Sequence, residues 1–71
     1  MTLGERIRAL RQAHGWTLAV LASKASVSVS YLNDIEHDRS VPSLGKLAAV
    51  AAALGLSATE LLSGTRPYDH K

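Results

Sequence analysis

The chain has 71 residues, a formal net charge of +2 and no cysteine. This length suits one domain, and the lack of cysteine excludes disulfides and thiolate metal sites, so tight helix packing has to hold so small a core. No apolar run reaches the ~18 residues of a membrane span, and the charged stretch TLGERIRAL differs from the apolar core of a signal peptide. We therefore expect a cytoplasmic protein with no membrane partner.

The first predicted helix begins after Thr2 and ends at Gly15. Glu5 stands three residues after Thr2, a spacing typical of a capping box, in which each of the two side chains satisfies a free backbone N–H group. Glycine favours the left-handed backbone that commonly ends a helix. The spacing of apolar residues predicts one buried stripe on this helix, made of Leu3, Ile7 and Leu10.

The next stretch has the pattern of a helix-turn-helix. Thr17 is placed to cap a second helix over about residues 17–24, and Ser28 is placed to cap a third over about residues 28–37. The turn between them contains Ser26, at a position where a left-handed backbone favours glycine. We therefore expect either slight backbone strain at this serine or a slightly different turn.

The two helices of this pattern differ in their faces. Apolar residues recur at helical spacing and predict the buried side, which consists of Leu18, Leu21, Ala22 and Ala25 on the second helix and Leu32 and Ile35 on the third. The opposite side of the third helix carries Val29, Ser30, Asn33, Asp34 and His37. Short side chains that form hydrogen bonds suit a helix that enters the major groove of DNA.

Two further helices are predicted after a loop marked by Pro42, since proline disfavours helix at the residue before it. Ser43 is placed to cap the fourth helix, and Gly55 to end it. Ser57 and Glu60 form a second predicted capping box, at the start of a short fifth helix. The predicted inward-facing residues of the fourth helix are Leu44, Leu47, Ala48, Ala51 and Leu54, and the fifth carries Leu61 and Leu62.

These elements predict an all-α fold of five helices. We expect the domain to occupy residues 1–64, because Gly64 and then Pro67 are typical of the end of ordered structure. Residues 65–71 are expected to form a flexible C-terminal tail.

No arrangement typical of an enzyme or of a metal site occurs in the sequence. The three histidines, His14, His37 and His70, are scattered instead of being spaced as metal ligands. No nucleophile stands with a base and an orienting group, and no phosphate-binding glycine loop precedes a helix. We expect neither catalysis nor a cofactor, a metal ion or a small-molecule ligand.

Cationic residues are concentrated near the predicted helix-turn-helix. Arg6, Arg8 and Arg11 lie in the first helix, Lys24 ends the second and Arg39 follows the third, which accounts for five of the eight lysines and arginines. This distribution is stronger evidence for a nucleic-acid interface than the small net charge alone. A solvated basic surface is the alternative.

Several short motifs occur together in an order that is more specific than any one of them. They are Leu3-Gly4-Glu5-Arg6-Ile7-Arg8-Ala9-Leu10-Arg11, Gly15-Trp16-Thr17, Leu21-Ala22, Val27-Ser28, Tyr31-Leu32, Ile35-Glu36 and Pro42-Ser43-Leu44. Over residues 3–62 the chain resembles the Cro/C1-type (XRE) helix-turn-helix family of phage and bacterial repressors. The resemblance implies a compact, lambda-repressor-like five-helix bundle that binds operator DNA through its third helix, the recognition helix.

The resemblance also implies which residues contact bases. They are Ser28, Val29, Ser30, Tyr31, Asn33 and Asp34. Their chemistry agrees in part, because Asn33 suits adenine, Val29 suits a thymine methyl group and Asp34 accepts from a cytosine amino group. A purely structural helix would also direct polar residues outward.

Phosphate contacts are implied from side chains and from backbone N–H groups at the starts of helices two and four. The residues are Arg11, Thr17, Leu18, His37, Arg39 and Ser43. The resemblance further implies a structural ion pair between Arg11 and Glu36, joining helices one and three. The alternative is an ordinary surface salt bridge, worth ~0–1 kcal/mol.

Three departures from the family pattern are visible, and Ser26 in the turn is one of the lesser ones. Leu18, Ala19 and Val20 stand where many members carry Gln-Glu-Glu, so Leu18 cannot make the glutamine's side-chain contact to the DNA backbone. Asp38 stands where a glycine often ends the third helix. We interpret the chain as a sequence-specific DNA-binding transcriptional regulator, a repressor that binds a two-fold operator as a homodimer. The alternative is a protein-interaction module or antitoxin-like adaptor that uses the surface of Leu18 to Val20.

Overall fold

The computed structural model describes residues 1–63 and Thr65. The rest of the predicted tail over residues 65–71, and the predicted domain end at residue 64, lie outside the described residues. The described chain forms five helices, which are α1 (Leu3–Ala13), α2 (Leu18–Ala25), α3 (Val29–Glu36), α4 (Leu44–Ala53) and α5 (Ala58–Leu62). The predicted all-α fold with five helices is confirmed. No helix in this described part is long and apolar enough to cross a membrane.

A hydroxyl side chain caps the start of each helix, as the sequence predicts. Its oxygen accepts a hydrogen bond from the backbone N–H three residues later, over 3.0–3.3 Å. Glu5 and Glu60 complete the two predicted capping boxes by accepting from the N–H of their cap residues. The five caps are Thr2, Thr17, Ser28, Ser43 and Ser57.

The core is a cluster of aliphatic side chains to which all five helices contribute. Six of these side chains are almost completely buried, namely Ile7, Leu21, Leu32, Ile35, Val50 and Leu61. The helix α3 packs against α1 and α2, α4 packs against α2 and α5, and α1 packs against α5. Because α1 and α2 cover the inner side of α3, the outer side of that helix stays accessible.

Two residues of α4 that were predicted to face inward are exposed, so that part of the prediction is wrong. Leu44 is 77% exposed, and Ala48 is exposed as well. The buried stripe of α4 is Leu47, Val50 and Ala51, and the C-cap residue Leu54 is buried with them. Ala48 lies about 100° around the helix from Leu47, and Leu44 is in the first turn, before the residues that meet the core.

In the turn between α2 and α3, Ser26 has a left-handed backbone, with φ 58° and ψ 42°, so the first of the two expected alternatives holds. Hydrogen bonds close the turn, because Ser26 N–H donates to the Ser23 carbonyl at 3.2 Å and Val27 N–H donates to the Ala22 carbonyl at 3.0 Å. Free carbonyls at the end of α2 are thereby satisfied. The closed turn sets the direction in which α3 leaves α2.

A second non-glycine residue with a left-handed backbone, Asp38, joins the end of α3 to the start of α1. Its φ is 60°. One carboxylate oxygen accepts from the Gly4 N–H at 3.1 Å, and the other accepts from the Thr2 hydroxyl at 2.7 Å. A negative charge at a helix N-terminus is favourable, so these contacts offset the strain of an aspartate at a position that often holds glycine.

Gly4 allows this close approach. A Cβ atom added to Gly4 would lie 2.5 Å from the Ile35 carbonyl oxygen and 2.6 Å from that of Glu36. Both contacts are with backbone atoms that cannot turn aside. A side chain at this position therefore requires α1 and α3 to separate.

We expect Gly4→Ala and Gly45→Ala to have opposite effects on stability. Gly4→Ala forces backbone atoms apart and is expected to lower the free energy of unfolding by about 2 kcal/mol. Gly45 lies within α4, and a Cβ added there would have no neighbour within 4 Å. Gly45→Ala is therefore expected to raise the free energy of unfolding by about 0.5–1 kcal/mol. Urea titrations measure both values, and equal effects in the two variants would contradict this account.

Candidate nucleic-acid interface

A bidentate ion pair between Arg11 and Glu36 holds the C-terminal end of α3, as the family resemblance implied. Arg11 Nε donates to Glu36 Oε2 at 2.7 Å, and Arg11 Nη2 donates to Oε1 at 3.0 Å. The Glu36 side chain is 2% exposed and that of Arg11 13%, so this is not the alternative surface salt bridge. Paired donors and acceptors in this fork geometry are strong and directional.

Arg11 also reaches the segment before α2. Its Nη1 donates to the Trp16 carbonyl at 2.9 Å. Hydrogen bonding to Glu36 raises the pKa of the Arg11 guanidinium above its ordinary value, although burial opposes the rise. One charged side chain therefore fixes α1, the start of α2 and the end of α3 relative to each other. Most of its donors are occupied in doing so, and a phosphate contact from Arg11 stays a prediction.

The outer face of α3 presents the residues for which base contacts are predicted. Val29 is 46% exposed, and Ser30 is exposed beside it. Asn33 is half-buried, and its side-chain amide has no hydrogen bond within residues 1–63 and 65. Ser28 is exposed and caps the helix by accepting from the Tyr31 N–H at 3.0 Å. These side chains form an accessible surface of short polar and apolar groups.

An ion pair that sequence reasoning missed joins the last turn of α3 to the loop that follows it. Arg39 Nε donates to Asp34 Oδ1 at 3.0 Å, which joins a predicted phosphate contact to a predicted base contact. His37 Nδ1 lies 2.8 Å from the Asn33 carbonyl oxygen. Opposite charges five residues apart across a helix end were the available signal, but only the left-handed backbone at Asp38 turns Arg39 back toward Asp34.

Other cations near α3 have structural partners. Arg6 donates to the carbonyls of Leu61 at 2.9 Å and Glu60 at 3.2 Å, and so it ties α1 to the end of α5. Lys24 Nζ lies 4.9 Å from the centre of the Trp16 ring, on which the His14 ring stacks at 4.2 Å. The arginines and lysines of this region therefore do not form a uniform basic surface.

Lys46 was not predicted as a site residue, yet it lies beside the start of α3. It belongs to the first turn of α4 and borders an open cleft of about 300 Å³. The other bordering residues are Ser26, Val27, Ser28 and Tyr31. A lone lysine in an otherwise apolar helix gives no sequence signal for this position, which depends on how α4 packs against α2.

Metal ligands do not cluster in the part of the chain that the structure describes. No group of three histidine, aspartate or glutamate side chains there could hold a metal ion. His14 and His37 make the contacts given above, and His70 lies outside the described residues.

Known proteins resemble this chain over nearly all of its length. A sequence model described as a helix-turn-helix domain matches residues 2–63. The immunity repressor protein of Bacillus phage phi105 is 50% identical over 62 residues, which are 87% of this chain and 43% of that protein. The transcriptional regulator DdrOP3 of Deinococcus deserti is 43% identical over 68 residues, or 96% of this chain and 53% of that protein.

A solved structure shows the same arrangement of helices. The P22 c2 repressor in complex with a synthetic operator superposes with a TM-score of 0.84 and 33% sequence identity, covering 90% of this chain and 97% of that one. The present chain spans about half the length of the two curated relatives. The likeness therefore concerns only part of those proteins.

We expect removal of one partner of the Arg11–Glu36 pair to be more harmful than removal of both. Arg11→Met leaves the Glu36 carboxylate buried without its cation and is expected to lower the free energy of unfolding by about 3 kcal/mol. The double variant Arg11→Met/Glu36→Leu is expected to recover most of this loss. Urea unfolding measures the effect, with Arg8→Met as the control on the exposed side of α1. A double variant no more stable than Arg11→Met would contradict this account.

Proposed function

The chain belongs to the helix-turn-helix domain family, and we propose that it is a sequence-specific DNA-binding transcriptional regulator. In this proposal it acts as a repressor, binds a two-fold operator as a homodimer and occludes RNA polymerase. The helix α3 enters the major groove as the recognition helix.

The observation that carries this proposal is the outer face of α3. Its side chains are short, accessible and able to form hydrogen bonds, and the amide of Asn33 has no partner among the described residues. The buried Arg11–Glu36 pair holds the other side of the helix in one orientation. A rigid helix with such a face suits direct contact with base edges.

The proposed base contacts rest on the family resemblance, and the chemistry of the side chains agrees with them in part. Asn33 donates to and accepts from the edge of adenine, and Val29 packs against a thymine methyl group. The hydroxyls of Ser28 and Ser30 bond to either a purine or a pyrimidine. Tyr31 lies at the edge of this face, next to the cleft that Lys46 borders.

Phosphate contacts are proposed on both sides of the recognition helix. At the starts of α2 and α4, backbone N–H groups without helical partners and the positive end of the helix dipole favour an anion. Side chains supply the remaining contacts. The proposed residues are Thr17, Leu18 and Ser43 through their helix starts, and Arg11, His37 and Arg39 through their side chains.

The proposed dimer contact involves α5 and the segment before it, over residues 56–62. Leu56 and Leu62 are half-buried and so retain apolar surface, whereas Leu61 is fully buried in the core. We therefore expect a weak dimer in solution that tightens on DNA.

A protein-interaction module is the second candidate function. Val20 is 38% exposed and Ala19 is exposed beside it, so α2 has an apolar outer patch. Salt dependence separates the two functions, because phosphate contacts release counterions and weaken steeply as salt rises. Arg39→Glu abolishes DNA binding in the first function and leaves partner binding intact in the second.

Selection of bound duplexes from a random pool tests the proposed function. We expect one enriched motif with two-fold symmetry, and two chains bound to each selected duplex. The centres of its half-sites are expected to be about 10–10.5 bp apart, or a multiple of that, because two recognition helices enter major grooves on one face of the DNA. Sedimentation of the protein on the selected duplex measures the stoichiometry, and a strict monomer there would exclude the dimer.

Asn33→Ala and Arg39→Ala are expected to alter DNA binding in different ways. Asn33→Ala removes a base contact, and should cost about 1–3 kcal/mol at one operator position and relax the preference there. Arg39→Ala removes a phosphate contact, and should weaken binding to all sequences and lower the magnitude of the salt slope by roughly one. Titrations at several salt concentrations measure both. If Asn33→Ala left every base preference unchanged, α3 would not be the recognition helix.

A further inference from the structure

The side chains of Asp34 and Arg39 form a pair at the exposed end of α3. Arg39 Nε donates to Asp34 Oδ1 at 3.0 Å. The Arg39 side chain is 56% exposed and that of Asp34 39%, so the pair lies in reach of solvent and of a bound macromolecule. Neither residue belongs to the hydrophobic core.

The backbone around the pair is held at both ends. The N–H of Arg39 donates to the Asp34 carbonyl at 2.8 Å. The preceding residue, Asp38, is anchored to Gly4 and Thr2 of α1 through its carboxylate. The main chain at Arg39 is therefore fixed to two helices, and only the side chain remains to be oriented.

The contact with Asp34 uses a single donor of the Arg39 guanidinium. The hydrogen bond involves Nε, which leaves the two terminal nitrogens, Nη1 and Nη2, with their four N–H groups. These groups form the flat fork that matches two oxygens of a phosphate. Asp34 thus holds the guanidinium through Nε, while Nη1 and Nη2 stay available to a phosphate.

We propose that Asp34 is a positioning residue, which orients Arg39 toward a DNA phosphate and does not itself contact a base. This inference rests on the proposed DNA binding. It replaces the expectation of a cytosine contact, because a carboxylate oxygen of Asp34 already accepts a hydrogen bond from Arg39 Nε.

The expected size of the effect follows from the exposure of the pair. An exposed ion pair adds little to folding stability. A long side chain that is already in its bound orientation loses less conformational freedom when it binds. Asp34 is therefore expected to affect DNA affinity and to leave the stability of the free domain nearly unchanged.

A first experiment needs no DNA. The mobility of each arginine Nε–H group is measured by ¹⁵N relaxation in the unaltered chain, in Asp34→Ala and in Asp34→Asn. Arg11, in its buried pair, is the rigid reference, and exposed Arg8 is the mobile one. We expect Arg39 to be restrained in the unaltered chain and in Asp34→Asn, whose amide oxygen still accepts the hydrogen bond, and mobile in Asp34→Ala. An Arg39 as mobile as Arg8 in the unaltered chain overturns the inference and leaves the proposed function untouched.

A second experiment measures DNA affinity for selected and unrelated duplexes in a double-mutant cycle. Asp34→Ala is expected to weaken binding to all duplexes by about 2- to 10-fold when Arg39 is present. The same change in an Arg39→Ala chain is expected to cause no weakening, because there is no longer a guanidinium to orient. Asp34→Asn is expected to recover the affinity of the unaltered chain or exceed it, since it keeps the acceptor and removes a negative charge near the phosphates.

Three results of this second experiment also contradict the inference. Tighter binding by Asp34→Ala in the presence of Arg39 means that the carboxylate competes with DNA for the guanidinium. A changed preference at one base pair, present with and without Arg39, means that Asp34 contacts a base. A lack of DNA binding by the unaltered chain contradicts the proposed function itself, and it is distinguished from the other results because the relaxation experiment is independent of DNA.

Discussion

The buried carboxylate of Glu36 constrains how three helices of this domain meet. A carboxylate in an aliphatic core is stable only with a cation and with well-directed hydrogen bonds, and Arg11 supplies both through a fork whose third donor reaches the Trp16 carbonyl. The positions of α1, of the entry to α2 and of the end of α3 are thus coupled. This pair therefore sets the direction of the outer face of α3, because the same helix carries Glu36 on one side and Ser30 and Asn33 on the other.

A second charged contact acts at the same end of α3. The Asp38 carboxylate binds the start of α1, and the absence of a side chain at Gly4 lets the two helices come close enough for it to do so. Glu36 and Asp38 therefore both bind α1, and neither contact involves the first turn of α3. A helix fixed along one end and one side, with its remaining face accessible, is well suited to rigid docking in a groove.

The distribution of cations shows why formal charge is a poor guide to an interface. Arg6 and Arg11 have carbonyl or carboxylate partners within the domain, and Lys24 lies over the Trp16 ring. Arg39 is paired as well, but at an exposed site and through one nitrogen only. The residues best able to meet a phosphate are distinguished by their remaining donors and their accessibility, and both properties depend on neighbours that are distant in sequence or lie beyond a turn.

The sequence by itself determined the number of helices, their caps and the family, because caps and apolar spacing depend on residues three or four positions apart. The resemblance also supplied the Arg11–Glu36 pair. The exposure of Leu44 and Ala48, the anchoring of α1 by Asp38, the Asp34–Arg39 contact and the place of Lys46 beside Ser28 were decided only by the tertiary structure. Each of these four features depends on how one helix packs against another or on a left-handed residue that reverses the chain. The periodicity of a single helix encodes neither of these two causes.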